Sequence, residues 1–149
     1  MLYSDLIRKA VHIAFRAHEG QLDKGGYPYI LHPLHVAESM ETELETVCAL
    51  LHDVVEDTPL GFADLRSMGI PEEALGVLRL LTHEEGVPYD AYIEGMRGCT
   101  AALRVKRSDL LHNLDATRIG GADTDRREKY ERALQRVEGF LAEDDCKKS

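Results

Sequence analysis

Apolar residues in this chain recur at the spacing of α-helices, and this pattern constrains the fold more than any other feature. In the first segment, Leu6, Ile7, Ala10, Val11 and Ala14 stand three or four positions apart and would form one apolar stripe on a helix. Similar spacing returns in later segments, whereas no segment shows the period-two alternation of a half-buried strand. The sequence therefore predicts an all-α fold, built as a single-domain helical bundle.

The whole chain, residues 1–149, is predicted to form one domain. A length of 149 residues suits one domain with a single sizeable core, and no repeat, low-complexity tract or long linker divides it. The helical core is expected to span about residues 4–142, beginning after the capping residue Ser4. Residues 143–149, EDDCKKS, are expected to form a frayed tail.

Caps and helix breakers predict where the later helices begin and end. Pro33 suits the first turn of a second helix, which would end near Glu41. A third helix is predicted from about Leu44 to Val55. The further predicted helices are FADLRSMGI, PEEALGVLRLLTH, YDAYIEGM, TAALRVKRSDLLHNLDATR before Gly120-Gly121, and residues 123–142.

The charge of the chain restricts its partners. With a net charge of −9, the protein is predicted to bind neither nucleic acid nor an anionic membrane, although a small anionic substrate stays compatible. The first segment carries Asp5, Arg8 and Lys9 before any long apolar run, which excludes a signal peptide or membrane span there. Three widely spaced cysteines without a CxxC motif predict reduced thiols in a cytoplasmic protein.

An apolar stretch, LLHDVVEDT at residues 50–58, contains His52, Asp53, Glu56 and Asp57. Burying such groups without partners costs free energy of the order of several kcal/mol. On a continuous helix, residues four apart share one face, so His52 would stack over Glu56 and Asp53 over Asp57. The stretch therefore predicts a polar patch that needs a compensating partner.

Two other segments carry groups that could complete this patch. Asp109 and Asn113 are four apart in SDLLHNL, and His32 stands in ILHP. Two imidazoles and two carboxylates can hold one Mn²⁺, Fe²⁺ or Zn²⁺ ion, which would offset the burial of Asp53 and lower the pKa of a bound water. Glu56 could then orient that water or take its proton. Because an isolated His-Asp pair is usually solvated or salt-bridged, the metal prediction depends on all three segments together.

Three strings, AHEGQLDKGGYPYILHPLHVA, ALLHDVVEDT and VKRSDLLHNL, resemble the HD-domain hydrolases of the RelA/SpoT type, and most of all their small stand-alone members. The likeness in order and spacing covers about residues 10–118. It implies a helical bundle of the HD-domain type, without the synthetase domain of the long members. Carried over to this sequence, it implies Mn²⁺ held by His32, His52, Asp53 and Asp109, a catalytic acid pair of Glu56 and Asp57, and Asn113 positioning the water or phosphate.

The resemblance also implies a reaction and a substrate site. The best-known reaction of the family removes the 3′-pyrophosphate of (p)ppGpp and gives GDP or GTP and pyrophosphate. Asp23-Lys24 stands where the family commonly has Arg-Lys. An arginine would pack on the guanine base, whereas an aspartate would repel phosphate, so the departure bears on the substrate and not on the metal. Lys24, Tyr29 and, by a looser match, Tyr130 are the expected nucleotide contacts.

Several residues and functions stay open at this point. Arg104, Lys106 and Arg107 form either a phosphate-binding edge or a solvated helix face with salt bridges. His112 is expected behind the site or in the core, and His83 on the surface. Besides (p)ppGpp hydrolysis, the chain could hydrolyse another phosphorylated nucleotide or bind nucleotide or metal without turnover, but the complete residue set favours an enzyme. A homo-oligomer also stays open.

Overall fold

The computed structural model describes residues 1–119 and 124–148, and these residues form helices but no strand. One isolated antiparallel bridge joins Leu22 to Pro28 in the loop after the first helix. The predicted all-α fold is confirmed. The helices are α1 (Asp5–Ala17), α2 (Leu31–Glu38), α3 (Glu43–Leu51), α4 (Val54–Asp57), α5 (Phe62–Ser67), α6 (Glu72–Leu81), α7 (Tyr89–Glu94), α8 (Thr100–Asn113), α9 (Ala116–Ile119) and α10 (Thr124–Lys147).

The first helix forms as its sequence predicts. The Ser4 side chain accepts a hydrogen bond from the Ile7 amide at 3.1 Å, which caps α1. Ile7, Ala10 and Ala14 are buried on one face of α1, and this face packs against α3. The apolar stripe therefore fixes α1 on the core and leaves its polar face in solvent.

The third helix occupies the centre of the bundle and packs against α1, α2, α6 and α8. Val47, Cys48, Ala49 and Leu50 in α3 are fully buried. Each large apolar side chain buried in this way stabilises the fold by about 1.5–3 kcal/mol relative to an exposed one. This burial fixes the end of α3, where the histidine and carboxylates of LLHDVVEDT begin.

The prediction of one continuous helix from Leu44 to Val55 is wrong. Helix α3 ends at Leu51, a turn takes His52 and Asp53, and α4 begins at Val54. His52 Nδ1 donates to the Ala49 carbonyl at 2.6 Å. In a continuous helix, that carbonyl would accept the amide of Asp53. The His52 side chain thus occupies the carbonyl that the next helical amide would use, at the position where the helix breaks.

The helix predicted over TAALRVKRSDLLHNLDATR is also divided. Helix α8 ends at Asn113, and Asp115 begins α9 because its carboxylate accepts the Thr117 amide at 3.0 Å. The predicted stop at Gly120-Gly121 lies outside the described residues. The division leaves α9 free to turn toward the loop that precedes α2.

The last helix runs further than the predicted core, because α10 continues to Lys147. Asp144, which the sequence analysis assigns to a frayed tail, is buried and accepts a hydrogen bond from the Thr100 hydroxyl at 2.8 Å. This bond ties the end of α10 to the start of α8. Within the described ranges, no helix has the length and apolar content that crossing a membrane requires.

Candidate metal centre

The fold brings the four predicted metal ligands together from three separate segments. His32 lies in α2, His52 and Asp53 lie in the turn between α3 and α4, and Asp109 lies in α8. His32 Nε2 is 2.8 Å from Asp109 Oδ1 and 3.3 Å from His52 Nε2. Asp53 Oδ2 is 3.0 Å from His52 Nε2 and 3.6 Å from His32 Nε2. One ligand atom each from His32, His52 and Asp109 lies within 4.8 Å of the other two.

Hydrogen bonds behind the two histidines orient their rings. His52 Nδ1 is occupied by the Ala49 carbonyl, so Nε2 faces the other ligands. His32 Nδ1 is 2.7 Å from Nδ1 of His112. Burial, followed by the charge of Arg118, lowers the pKa of His112 to about 4, so this ring is neutral at pH 7 and its Nδ1 can accept a hydrogen bond from Nδ1–H of His32. Both imidazoles therefore present Nε2, as metal-binding histidines with a fixed tautomer do.

The charges at this centre fit a cation. Burial opposes ionisation of Asp53, but the neighbouring His52 outweighs it and holds the pKa of Asp53 at about 2. Burial also opposes ionisation of Asp109, yet Lys106 and then the two histidines hold its pKa well below the usual range. Two ionised carboxylates and two imidazole nitrogens form a donor set that divalent transition metals bind. The buried group therefore suggests a divalent metal ion.

Lys106 belongs to this centre, although the sequence analysis left its role open. Its ammonium lies 2.8 Å from Asp109 Oδ2, and its side chain is only 11% exposed. The other two members of the basic cluster pair elsewhere, Arg104 with Glu45 at 2.8 Å and Arg107 with Glu138 at 3.6 Å. The cluster is therefore divided between one cation at the centre and two salt bridges away from it, one to α3 and one to α10.

A cleft of about 450 Å³ opens beside the ligands. It lies between the loop before α2, the start of α4, α8 and the first turns of α10. All predicted site residues except the buried His32 line it, namely Lys24, Tyr29, His52, Asp53, Glu56, Asp57, Asp109, Asn113 and Tyr130.

The predicted acid pair lies at the edge of this cleft. Glu56 Oε1 accepts a hydrogen bond from the His83 backbone amide at 2.7 Å, a contact that placing His83 on the surface did not foresee. Burial raises the pKa of Asp57 to about 6, and the charges of Asp53 and Glu56 act in the same direction. Asp57 is therefore a carboxylate that can exchange a proton near neutral pH.

Tyr29, an expected nucleotide contact, is directed toward a candidate ligand. Its hydroxyl donates to Asp53 Oδ2 at 2.5 Å. Burial and the nearby carboxylate raise the pKa of Tyr29 far above its usual value, so the hydroxyl stays protonated and keeps donating. The structure therefore gives Tyr29 a role in orienting Asp53.

The sequence suggested that Asp23 would place an unpaired negative charge in the cleft, but its carboxylate is paired. Its Oδ1 accepts the amides of Gly25 and Tyr27 at 2.9 and 3.0 Å, which closes the loop. Its Oδ2 lies 3.6 Å from Arg118 Nε, and both side chains are nearly buried. The carboxylate charge is thus offset by a guanidinium from α9, a pairing without any local signal in the sequence.

Asn113 connects this ion pair to the candidate ligands. Its Nδ2 donates to Asp109 Oδ1 at 3.0 Å, and its Oδ1 accepts from Arg118 Nη1 at 2.7 Å. The predicted contact between Asp109 and Asn113, four residues apart on α8, is therefore present. A continuous set of polar contacts runs from the loop at Asp23 to Asp109.

Comparison with known proteins finds similar sequences among proteins named after (p)ppGpp. The bifunctional (p)ppGpp synthase/hydrolase SpoT of Escherichia coli (strain K12) is 32% identical over 150 aligned residues, which cover 91% of this chain and 21% of that protein. A Haemophilus influenzae protein named guanosine-3′,5′-bis(diphosphate) 3′-pyrophosphohydrolase is 33% identical over 131 residues, which cover 78% of this chain and 19% of that protein. The chain spans about a fifth of the length of these curated relatives. No protein-family model matches the chain.

A solved structure gives a similar result. It is described as a metazoan ortholog of SpoT that hydrolyzes ppGpp and plays a role in starvation responses. It matches with a TM-score of 0.75 and 26% identity, covering 95% of this chain and 88% of that one. Because the sequence and structural likenesses each extend over more than nine tenths of this chain, it belongs to the HD-domain family that includes SpoT and its metazoan ortholog.

Proposed function

We propose that this chain is a metal-dependent phosphohydrolase of nucleotides that removes the 3′-pyrophosphate of (p)ppGpp, giving GDP or GTP and pyrophosphate. The observation that carries the proposal is the convergence of His32, His52, Asp53 and Asp109 beside a cleft. Relatives named as 3′-pyrophosphohydrolases and a solved ortholog that hydrolyzes ppGpp support it.

Mn²⁺ is the proposed ion, because mixed nitrogen and oxygen ligands suit it and the family typically uses it. The four converging residues would hold it. When bound, such an ion polarises a phosphoryl oxygen and lowers the pKa of water. The chain itself fixes the two imidazoles through Ala49 and His112, and fixes Asp53 through Tyr29.

Proton transfer is assigned to the acid pair at the edge of the cleft. Glu56, held by the His83 amide, takes the proton of the attacking water, and Asp57 assists because its pKa is about 6. As the new bond between the water oxygen and phosphorus forms, the bond from phosphorus to the 3′ oxygen breaks, and the acid pair returns the proton to that oxygen of GDP. Asn113, whose amide is oriented by its bonds to Asp109 and Arg118, positions the water or a phosphate oxygen.

Substrate binding is assigned to Lys24, Tyr29 and Tyr130, which line the cleft. Lys24 neutralises the negative charge of the pyrophosphoryl group while water attacks its phosphorus. A different phosphorylated nucleotide is the second candidate substrate, because Asp23, paired with Arg118 of α9, stands at the loop position where the family's arginine would contact guanine. The proposal also includes one domain over residues 1–149, a cytoplasmic location, and no nucleic-acid or membrane partner. Light scattering of the purified protein measures whether it forms a homo-oligomer.

The proposed function is tested by hydrolysis of ppGpp with Mn²⁺, using wild type beside Asp53→Ala. Wild type is expected to release GDP and pyrophosphate, and the variant is expected to release neither. A wild type that binds Mn²⁺ but leaves ppGpp intact would contradict the substrate assignment, and a panel of phosphorylated nucleotides would then separate the second candidate from a protein that only binds.

The proton-binding behaviour of Asp57 gives a prediction for stability. Its pKa is raised from an ordinary value of 3.8 to about 6, so the folded state holds this proton more tightly than the unfolded state. Its contribution to stability is therefore present below about pH 3.8 and is lost as pH rises through 6. We expect Asp57→Asn to be more stable than wild type at pH 7 in EDTA, while the difference disappears near pH 4. Thermal unfolding at both pH values checks this, and an equal difference at both would contradict it.

The Asp23–Arg118 pair gives a prediction for substrate affinity. Asp23→Asn keeps an oxygen for the loop amides but removes the charge facing Arg118. We expect its KM for ppGpp to fall about fivefold, and that of Arg118→Gln to rise about fivefold, as one charge at short range in a partly wet cleft would do. Steady-state kinetics at fixed ionic strength measures both. Shifts in the same direction would show that the pair acts only through the loop structure.

A further inference from the structure

Tyr89 begins α7 and forms part of the wall of the cleft. Its ring centroid lies 5.7 Å from that of Tyr92 and 6.4 Å from that of Tyr130. The Lys129 ammonium lies 4.1 Å from the centre of the same ring. The ring of Tyr89 is therefore packed against α10, and these ring contacts do not involve its hydroxyl group.

The hydroxyl of Tyr89 is buried, and no other described residue pairs with it through a hydrogen bond. Its neighbour on α7 differs, because the Tyr92 hydroxyl donates to the Leu81 carbonyl at 2.7 Å. Buried polar groups in proteins are almost always hydrogen-bonded, and an unpaired one costs free energy. An unpaired hydroxyl in the wall of a cleft therefore indicates a partner that arrives with the ligand.

The surroundings of this hydroxyl select the chemistry of that partner. Burial raises the pKa of Tyr89 to about 12, so the group is a hydrogen-bond donor at neutral pH. Lys129 and Lys106 place their ammonium groups 4.1 and 6.0 Å from the ring centre. Glu56 and Asp109 line the same cleft as Tyr89. A hydroxyl donor on a ring that two ammonium groups approach fits an anionic oxygen.

We propose that the Tyr89 hydroxyl donates a hydrogen bond to a phosphoryl oxygen of the substrate, on the side of the cleft lined by Lys106 and Lys129. This inference rests on the proposed function for the identity of the substrate, but the contact itself requires only a diphosphate group in the cleft. It assigns a substrate-contacting residue to α7, a segment in which the sequence predicts no substrate contact. The contact would be made to the same pyrophosphate group that Lys24 is proposed to neutralise.

The test is Tyr89→Phe, which removes one oxygen and keeps the ring. We expect kcat/KM for ppGpp to fall about tenfold, and the affinity for inorganic pyrophosphate in the presence of Mn²⁺ to fall by a similar factor, as the loss of a hydrogen bond to a charged group does. The melting temperature is expected to stay the same or rise, because the variant deletes an unpaired hydroxyl. Steady-state kinetics, titration calorimetry with inorganic pyrophosphate and thermal unfolding measure the three quantities.

Tyr92→Phe is the matched control, since it removes a hydroxyl that already has a partner within the protein. It is expected to lower the melting temperature and to leave kcat/KM and pyrophosphate affinity unchanged. A Tyr89→Phe protein with wild-type kinetics and wild-type pyrophosphate affinity would overturn the inference, and so would a drop in melting temperature equal to that of Tyr92→Phe. If wild type does not turn over ppGpp, weaker pyrophosphate binding by Tyr89→Phe still supports the contact while the proposed function fails.

Discussion

Replacing Asp109 with asparagine is expected to abolish turnover and metal binding together. Asp109 contacts His32 at 2.8 Å, Lys106 at 2.8 Å and Asn113 at 3.0 Å, so it connects the α2 histidine to the polar residues of α8. Asparagine keeps the shape but removes the charge that a divalent ion needs. Loss of a residue that merely supports a ligand costs about 10–100-fold in metal affinity, so loss of the ligand itself should exceed about 100-fold. Titration calorimetry with Mn²⁺ and a pyrophosphate-release assay measure the two effects.

The matched control for this variant is Glu45→Gln. Glu45 is also buried and also accepts from a cation, Arg104, at 2.8 Å, but it lies in α3 and does not line the cleft. It should lose stability comparable to that of Asp109→Asn while keeping wild-type Mn²⁺ affinity and turnover. Unchanged metal affinity in Asp109→Asn would show that the buried group is structural.

Replacing Lys106 with methionine is expected to give the largest loss of stability, and only in metal-free protein. The ammonium of Lys106 is nearly buried against Asp109, and removing one partner of such a pair costs about 3 kcal/mol or more because a buried charge remains unpaired. A divalent ion beside Asp109 would supply the missing positive charge. Saturating Mn²⁺ should therefore recover more unfolding free energy in Lys106→Met than in wild type. Urea unfolding of wild type and Lys106→Met, each with EDTA and with Mn²⁺, gives the four unfolding free energies needed.

The neighbouring Arg107→Met is a suitable control because its salt bridge with Glu138 is half-exposed and 3.6 Å long. Exposed pairs of this kind contribute about 0–1 kcal/mol, and Mn²⁺ should not change that cost. If Lys106→Met loses the same unfolding free energy with and without Mn²⁺, no cation binds beside Asp109.

Most of the helices could be predicted from the sequence, because their signals are local. Ser4 caps α1, Pro71 precedes α6, and apolar residues three and four apart define the buried faces. The candidate ligands could also be identified from the sequence, since polar residues such as His32, the His52-Asp53 pair and Asp109 are unusual in apolar segments. The structure places these residues within a few ångströms of one another.

The remaining features depend on contacts between distant parts of the chain. The break at His52 accompanies a hydrogen bond from its own side chain to the Ala49 carbonyl. The spacing of apolar residues gives no sign of such a bond. The pairing of Asp23 with Arg118 needs the α8–α9 turn to bring α9 to the loop before α2. Lys106 could have been found from its spacing of three residues from Asp109, but Arg104 and Arg107 carry the same charge beside it.

The most direct test of the central proposal is hydrolysis of ppGpp in ¹⁸O-labelled water by wild-type protein stripped of metal and then loaded with Mn²⁺. Attack of water on phosphorus predicts that GDP is unlabelled, that pyrophosphate carries one ¹⁸O atom, and that neither product forms before Mn²⁺ is added. Intact ppGpp in the presence of protein that holds stoichiometric Mn²⁺, or label in GDP, would contradict the proposal.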